Sequence, residues 1–507
     1  MDSVERKSFA ILALALFATA WTSYGYFELD EHFQIIEFAG SKLGIVPVQN
    51  LPWEFEAGIR PWLMPVIFAG ICKFLAFFGV ENRFIWTFIF RLCCAGCGFA
   101  AILYVYRLGL AWFPDAQARR LNLQLCTALG FLPYLFVRTS SENLSASFAA
   151  IGMCALIKNL VESKQAELPV SGRIWFFSGL MLGLAFQFRY QTILMIGGLC
   201  LWLFCFAKMK WPNILAASSG FMLVLTAGLF ADRYGYGKWT FPFYKYIQVN
   251  LIEGKFAHPE TEPFFAYFYL ILANVFAPVV LIIMAVIVVF WVRQSRHVIS
   301  WITLPFFIFH CLISHKEERY LFPLIPLCLL IPALLLFKDG QMVLPEFFRR
   351  RFWRQAYKWL WRYNWIWLII LCIYPLNVEP YIKHQKFIYE RQKTVNVYHA
   401  AGFNPYKRNE LIYSFYRPAD VRIVEVENIE ELADIAKDNS AGEFYFFWKM
   451  PYLENWPDEL ARKTTLVNSS YFFFRLPSFV KICTPILKTL NSRFEEVECP
   501  SLFRITG

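Results

Sequence analysis

The sequence predicts an all-α polytopic membrane protein with a small α/β domain outside the membrane at its C-terminus. The 507 residues are 58% hydrophobic, 19% aromatic and only 17% charged, and the mean hydropathy is +0.42. Soluble proteins are about 25% charged, and no soluble core could bury so much apolar side chain. Apolar stretches long enough to cross a bilayer recur up to residue 380, and a polar tail follows. We therefore divide the chain into a transmembrane domain, residues 1–380, and a soluble domain, residues 381–507.

The formal net charge of +11 is a topological signal. In a soluble protein it would indicate a nucleic-acid partner, but here the basic residues lie in short loops between apolar spans, so we expect no nucleic acid. Arg6 and Lys7 precede the first span, residues 8–26. This span lacks a small-residue cleavage site, so we expect a retained helix with a cytosolic N-terminus.

Residues 62–79 decide the rest of the topology. If they cross the membrane, every later basic loop lies outside, including the basic stretch 338–362. If they form a juxtamembrane helix along the outer surface, all these loops lie inside, as the positive-inside rule requires. We expect the second arrangement, with about eleven transmembrane helices and an external C-terminus. After the first span, the others are predicted at 84–106, 122–137, 143–158, 174–190, 192–208, 213–231, 266–292, 299–314, 320–337 and 364–380.

The polar tail carries a strand–helix–strand pattern. Alternating hydrophobicity predicts strands at Val421–Val426 and 444–450, and residues 428–437 between them have helical periodicity. Eleven of the 13 cysteines lie in apolar spans, where they are expected to be packing residues. Cys483 and Cys499 lie in the tail and would form a disulfide if it faces an oxidising compartment.

The predicted outer loops collect most of the unusual polar residues. Ionisable groups beside hydrocarbon are costly and seldom unpaired, so their convergence on one face favours a functional site. Carboxylates that meet arginine and lysine suit a reaction with a general base and an anionic leaving group. Aromatic side chains near them would stack on sugar faces. One loop carries Arg138 to Glu142, and the candidates for binding and catalysis are Asp30, Glu31, Trp53, Glu54, Arg60, Arg189, Lys238, His315, Lys316, Glu317 and Arg319.

Plainer interpretations stay open at this stage. Asp30 and Glu31 also fit a solvated loop, and residues 315–319 also fit an ordinary charged turn. Arg60 and Arg189 also fit side chains that extend from the interface towards water. A transporter or flippase for a lipid-linked sugar is the alternative function, but it should place ionisable groups near the membrane midplane. A scaffold subunit without activity is a third class, and the intact acidic pair argues against it.

Three segments resemble a known family. They are the acidic first loop from Asp30 to Gln34 followed by Trp53-Glu54 and Arg60-Pro61, the loop from Asp232 to Asn250, and the stretch from Ser314 to Pro323. Together they resemble the lipid-phosphate-mannose-dependent mannosyltransferases of glycosyltransferase family 22, which have the GT-C fold, and are nearest to the GPI-anchor mannosyltransferases. The similarity runs through roughly residues 8–337.

The resemblance implies an inverting transfer of mannose from dolichyl or polyprenyl phosphate mannose to a glycolipid hydroxyl. It implies that Asp30 is the general base and Glu31 its partner. By charge, the candidates for the donor phosphate are His315, Lys316, Arg319 and Lys238. No metal or other cofactor is required, because lysine and arginine can neutralise one phosphodiester charge. The expected partners are the donor, the glycolipid acceptor and membrane lipids. The expected location is the endoplasmic reticulum in a eukaryote or the inner membrane in a bacterium, with the site on the luminal or periplasmic side.

Overall fold

The computed structural model forms two compact units, each discontinuous in sequence. Unit 1 comprises Met1–Ser23, Trp53–Ile71 and Thr87–Leu376, and unit 2 comprises Tyr24–Pro52, Cys72–Trp86 and Asn377–Gly507. The predicted division at residue 380 therefore stays a prediction. The structure describes residues 2–167, 171–207, 210–254, 262–274, 278–338, 341–342, 351–373, 380–391, 395–400, 402–408, 410–438, 443–448, 457–469 and 501–506. Cys483 and Cys499 lie outside the described residues.

Helices dominate the described chain. The helices up to residue 236 are α1 (Ser3–Thr22), α2 (Leu29–Glu31), α3 (Phe38–Lys42), α4 (Trp53–Ala57), α5 (Leu63–Phe77), α6 (Arg83–Trp112), α7 (Ala116–Ala128), α8 (Leu132–Phe136), α9 (Ser141–Gln165), α10 (Gly172–Phe188), α11 (Ile193–Phe206) and α12 (Trp211–Tyr236). They are followed by α13 (Pro242–Ile247), α14 (Ala266–Asn274), α15 (Pro278–Arg293), α16 (Val298–Leu312), α17 (Ile325–Cys328), α18 (Ile331–Leu336), α19 (Arg351–Ile373), α20 (Pro380–Tyr389), α21 (Ile429–Asp438) and α22 (Asp458–Lys463).

Tighter and wider helical turns and short strands complete the architecture. Turns of π-helix cover His32–Glu37 and Gln248–Ile252, and 3-10 turns cover Val48–Asn50, Tyr190–Thr192 and Glu318–Leu324. The strands are β1 (Phe337–Lys338), β2 (Gln341–Met342), β3 (Val395–Ala400), β4 (Lys407–Arg408), β5 (Leu411–Ile412), β6 (Val421–Val426), β7 (Glu443–Trp448), β8 (Thr464–Ser469) and β9 (Ser501–Thr506).

Three described helices are individually long and apolar enough to cross a membrane. They are α6, α9 and α12, and α15 with α16 form a fourth candidate that bends by 114°. These helices indicate an integral membrane protein, while the predicted count of about eleven spans stays a prediction. Helix α5 has 15 residues and rises about 22 Å, less than a hydrocarbon core of about 30 Å.

Two predicted spans are wrong as continuous helices. The span predicted at 320–337 is a 3-10 turn followed by the short helices α17 and α18. Pro323, Pro326 and Pro332 interrupt it, because proline has no N–H to donate and its ring clashes with the preceding turn. The span predicted at 122–137 also breaks, between α7 and α8.

The basic stretch 338–362 is also not simply a loop. Helix α19 begins at Arg351, so Arg354, Lys358 and Arg362 are helical, and all four basic side chains are exposed. Helix α19 therefore starts before the predicted span at 364–380. Its first half is amphipathic, which a window of mean hydropathy does not detect.

Helices α9, α10 and α12 of unit 1 pack closely through glycines. A Cβ atom at Gly179 of α10 would lie 2.0 Å from the carbonyl oxygen of Ala217, and one at Gly220 of α12 would lie 2.3 Å from that of Phe176. Only glycine allows the two backbones this approach, as is common between helices in a membrane.

Unit 2 contains a five-stranded sheet in the order β6-β3-β7-β9-β8. Strands β6 and β7 both run parallel to β3, whereas β9 is antiparallel to β7 and β8. Helix α21 connects β6 to β7, and its Leu432 and Ala436 pack against Phe444 and Phe446. The helix begins one residue later than predicted because Asn428 caps it, accepting a hydrogen bond from the Glu431 N–H.

Candidate functional site

Asp30 and Glu31 lie in the short helix α2 of unit 2, directly before the π-helical turn. The Gln34 amide donates to the Asp30 carboxylate at 2.7 Å, and Asp30 is partly exposed. Glu31 is buried and accepts a hydrogen bond from the Phe27 N–H at 3.2 Å. The two neighbouring carboxylates thus have different environments, which suits different roles.

A third carboxylate, that of Glu37, closes the π-helical turn and is fully buried. The Nε2–H of His32 donates to it at 2.8 Å. The same oxygen accepts the backbone N–H groups of Ser414 at 2.9 Å and Phe415 at 3.0 Å. The Tyr416 ring stacks on His32. Glu37 therefore joins the turn after the acidic pair to residues 414–415 of the same unit.

Unit 1 holds a cluster of acidic and basic side chains around Glu142, in the first turn of α9. The carboxylate of Glu142 accepts a hydrogen bond from Arg189 at 2.7 Å and lies 3.6 Å from the Arg319 guanidinium. All three side chains are buried. Both guanidinium groups also lie against the Tyr320 ring. The cluster brings together two predicted residues, Arg189 and Arg319, which are 130 positions apart in the sequence.

Glu317 extends this cluster towards the surface. It accepts hydrogen bonds from Arg319, from the His315 ring at 2.9 Å and from the Tyr320 hydroxyl at 3.1 Å. The hydrogen bond to Glu317 raises the pKa of His315 above its ordinary value of 6.5, although burial opposes the shift. Burial alone would raise the pKa of Glu317, but the His315 hydrogen bond and the Arg319 charge outweigh it and lower that pKa below 4.5.

Lys316 points into a different environment from its neighbours. Its side chain is buried, and its ammonium donates to the carbonyl oxygens of Glu262 at 2.9 Å and Ile313 at 2.5 Å. The Lys316 N–H donates to the Glu262 carboxylate at 2.8 Å. Two of the three ammonium donors are therefore already occupied within the protein.

Glu54 and Arg60 belong to a third group in unit 1. Their charged groups are 3.7 Å apart. The Tyr236 hydroxyl donates to the Arg60 carbonyl oxygen at 2.8 Å, and the buried Asp232 carboxylate accepts the Trp62 N–H at 2.8 Å. These bonds fix residues 60–62 against the end of α12.

The remaining two predicted residues, Trp53 and Lys238, are exposed. Lys238 follows the end of α12, so it belongs neither to the Glu142 cluster nor to the contacts of Lys316 described above. The predicted site residues do not include Glu37, Glu142 or Asp232, which the structure shows to be buried. Glu142 directly precedes the predicted span 143–158. An acidic residue at the start of a membrane helix is costly, and this position is the sequence signal that indicates it.

The profile of the Alg9-like mannosyltransferase family matches residues 8–413, most of the chain. The chain belongs to the Alg9-like mannosyltransferase family. The match contains every predicted site residue, from Asp30 to Arg319, and confirms the resemblance inferred from the three segments.

Relatives of this family member occur in several eukaryotes. GPI mannosyltransferase 3 of Debaryomyces hansenii is 24% identical over 347 residues, which cover 64% of this chain and 58% of that protein. GPI alpha-1,2-mannosyltransferase 3 of Homo sapiens is 25% identical over 325 residues, covering 59% of this chain and 52% of that protein. The similarity thus spans little more than half the length of these relatives.

Among solved structures, the chain is similar to ArnT from Cupriavidus metallidurans bound to undecaprenyl phosphate. The TM-score is 0.54 with 10% sequence identity, and the alignment covers 92% of this chain and 97% of that chain. At this identity the likeness shows the fold alone. The predicted helical fold of GT-C type is confirmed, whereas the separate C-terminal domain stays a prediction.

Proposed function

We propose that the protein transfers mannose from dolichyl or polyprenyl phosphate mannose to a glycolipid acceptor of the GPI-precursor kind. Family membership over residues 8–413 is the observation that carries this proposal. The named relatives are GPI mannosyltransferases, and the ArnT structure was solved with a polyprenyl phosphate. The relatives come from eukaryotes, which supports a location in the endoplasmic reticulum membrane. In this proposal the site faces the lumen. Family membership gives no support to the transporter alternative.

Asp30 is the general base in this proposal. Its partly exposed carboxylate would accept the proton of the acceptor hydroxyl while the hydroxyl oxygen forms a bond to the anomeric carbon. The bond from that carbon to the phosphate oxygen breaks, and the lipid phosphate leaves with the electron pair. Attack opposite the leaving group inverts the anomeric configuration. The Gln34 amide, 2.7 Å from Asp30, would hold the carboxylate in one orientation.

The leaving phosphate needs positive charge near it. His315, Lys316, Arg319 and Lys238 are the candidates predicted from charge. Arg319 and His315 are already paired with the Glu317 carboxylate. In this proposal the donor phosphate would therefore meet these three side chains as one hydrogen-bonded group. Trp53, half exposed, would offer an aromatic face to a sugar ring.

The test compares the purified wild type with Asp30→Asn. Each is incubated with radiolabelled polyprenyl phosphate mannose and a mixed glycolipid extract. We expect wild type to label a glycolipid and Asp30→Asn to lose at least about 100-fold in rate, because asparagine keeps the volume but cannot accept the proton.

The matched control is Asp434→Asn, which makes the same chemical change at an exposed carboxylate of α21. It should keep wild-type transfer. Normal transfer by a folded Asp30→Asn protein would remove Asp30 as the base. Failure of wild type to label any glycolipid in the extract would contradict the proposed function.

A further inference from the structure

One buried cation of unit 1 has no part in the mechanism above. Arg138 lies between α8 and α9, and its side chain is 1% exposed. One nitrogen, Nη2, donates to the Ser23 hydroxyl, and the guanidinium lies 4.7 Å from the centre of the Tyr134 ring. The Arg138 guanidinium is therefore a buried cation.

The other two nitrogens of this guanidinium are not satisfied by the protein. Nε and Nη1 of Arg138 are buried, and neither has a hydrogen-bond acceptor among the residues that the structure describes. Buried donors are nearly always paired, and charged donors left without acceptors are the most costly. The arrangement therefore points to an anion that is not part of the protein.

The nearest acidic residue in the sequence is already used. Glu142 follows Arg138 by four residues, but its carboxylate is bound to Arg189 and faces Arg319. With Glu317 also paired to Arg319, the two arginines and the two glutamates of that cluster balance in charge. Arg138 adds one positive charge that these carboxylates do not neutralise.

Helix ends near Arg138 do not supply a full counter-charge either. Ser23 is the C-cap of α1, and a helix C-terminus carries only about half a negative charge. That end is shared, because the Nε of Arg91 donates to the Ala20 carbonyl oxygen at 2.9 Å. On the other side, the N-terminus of α9 begins three residues after Arg138 and attracts anions.

We infer that Arg138 binds the phosphate of a lipid-linked phosphate, which in the proposed reaction is the phosphate of the sugar donor and of the lipid product. The inference rests on the proposed function for the identity of the lipid. A phosphodiester carries one negative charge, which would offset the positive charge that Arg138 adds. Its oxygens accept hydrogen bonds from guanidinium donors better than neutral acceptors do.

The experiment measures binding without any transfer. Purified protein in detergent is titrated with polyprenyl phosphate and, separately, with the uncharged polyprenol of the same length, using thermal unfolding and equilibrium binding. Wild type should bind the phosphate form at least about tenfold more tightly than the alcohol. Arg138→Gln should lose this preference, and Arg138→Lys should keep part of it because the charge remains.

Ser23→Ala is the control for a merely structural role. It removes the hydrogen bond that Arg138 makes to Ser23 but leaves the guanidinium in place, so it should keep the phosphate preference. If Arg138→Gln does not fold, Arg138→Lys decides: an affinity equal to that of wild type overturns the inference. Equal competition by inorganic phosphate at the same concentration also overturns it, since the lipid would then contribute nothing.

The outcome is separable from that of the proposed function. Wild type that prefers polyprenyl phosphate through Arg138 but transfers no mannose supports this inference and contradicts the transferase. Mannose transfer together with an Arg138→Gln protein that retains the full phosphate preference overturns this inference alone.

Discussion

The Arg189 guanidinium donates to the Glu142 carboxylate at 2.7 Å, and both side chains are more than nine-tenths buried. Glu142 lies in the first turn of α9 and Arg189 directly follows α10, so one ion pair joins the start of α9 to the end of α10. Arg319 lies 3.6 Å from the same carboxylate and brings in the turn that begins at Glu318. The pair thus holds these segments of unit 1 together and also belongs to the candidate site.

Removing one partner of this pair should destabilise the protein strongly. Arg189→Met leaves Glu142 with a weaker partner in a buried position, and breaking a buried ion pair typically costs about 3–5 kcal/mol. We expect a large fall in the unfolding temperature measured in detergent. Lys158→Met is the control, because Lys158 forms an exposed pair with Glu162 and should lose less than about 1 kcal/mol. Equal falls in unfolding temperature for the two variants would contradict the conclusion that the Arg189–Glu142 pair is a buried, stabilising contact.

The buried Glu37 carboxylate should hold the backbone of residues 414–415 in place. Glu37→Gln keeps the volume but weakens three hydrogen bonds to the charged group, each worth about 1.5–3 kcal/mol. We expect faster amide exchange at Ser414 and Phe415. Glu56→Gln, at an exposed position, should leave this exchange unchanged. Unchanged exchange in Glu37→Gln would show that other contacts hold the segment.

Gln34 should position Asp30 without being essential itself. Gln34→Leu removes the amide that donates to Asp30 at 2.7 Å, and loss of one hydrogen bond to a charged group corresponds to about a 10- to 100-fold change. Given the proposed reaction, kcat should fall while KM for the donor stays the same. The exposed Gln117→Leu serves as the control. A change confined to KM would mean that Gln34 contacts substrate.

Stability should depend on pH through His315 and Glu317. The pKa of His315 is raised, so its contribution is complete below 6.5 and is lost as the pH rises through the raised value. The pKa of Glu317 is lowered, so its contribution is present above 4.5 and is lost as the pH falls through the lowered value. The pair is therefore most stabilising between these two ordinary values.

The measurement is unfolding temperature against pH for wild type, His315→Gln and Glu317→Gln. His315→Gln should abolish the loss of stability above pH 6.5. Glu317→Gln should abolish that loss and also the loss that the pair shows at acidic pH. A wild-type curve identical in shape to that of His315→Gln would show that His315 does not contribute.

Close packing of α10 against α12 should make Gly179 intolerant of a side chain. Gly179→Ala places Cβ within 2.0 Å of the Ala217 carbonyl oxygen, so the helices must separate, at a cost of about 1–3 kcal/mol. Gly197→Ala is the matched control, because a Cβ atom there meets nothing within 4 Å. The control should be neutral or slightly stabilising by helix propensity. Comparable unfolding temperatures for the two variants would contradict the packing.

The residues predicted for the candidate site are chemically conspicuous in the sequence. Asp30, Arg189 and Arg319 are charged residues beside apolar segments, where burying a charge costs free energy. Glu37 and Arg138 were harder to interpret, since a glutamate in an outer loop and an arginine at a helix end are common on solvated surfaces. Only the structure shows that both are buried.

The sequence by itself determined the chemical character of the protein: its membrane class, the positions of its three long apolar helices, the strand–helix–strand pattern of the tail and the family resemblance. These follow from composition, local periodicity and short motifs, which depend on neighbouring residues. The tertiary structure decided which charges meet. It paired Arg319 with Glu142 and Glu317, turned Lys316 towards backbone carbonyls and placed Glu37 under residues 414–415. Such partners lie up to hundreds of positions apart, and their pairing is set by packing and by the cost of burying charge, neither of which a local pattern encodes.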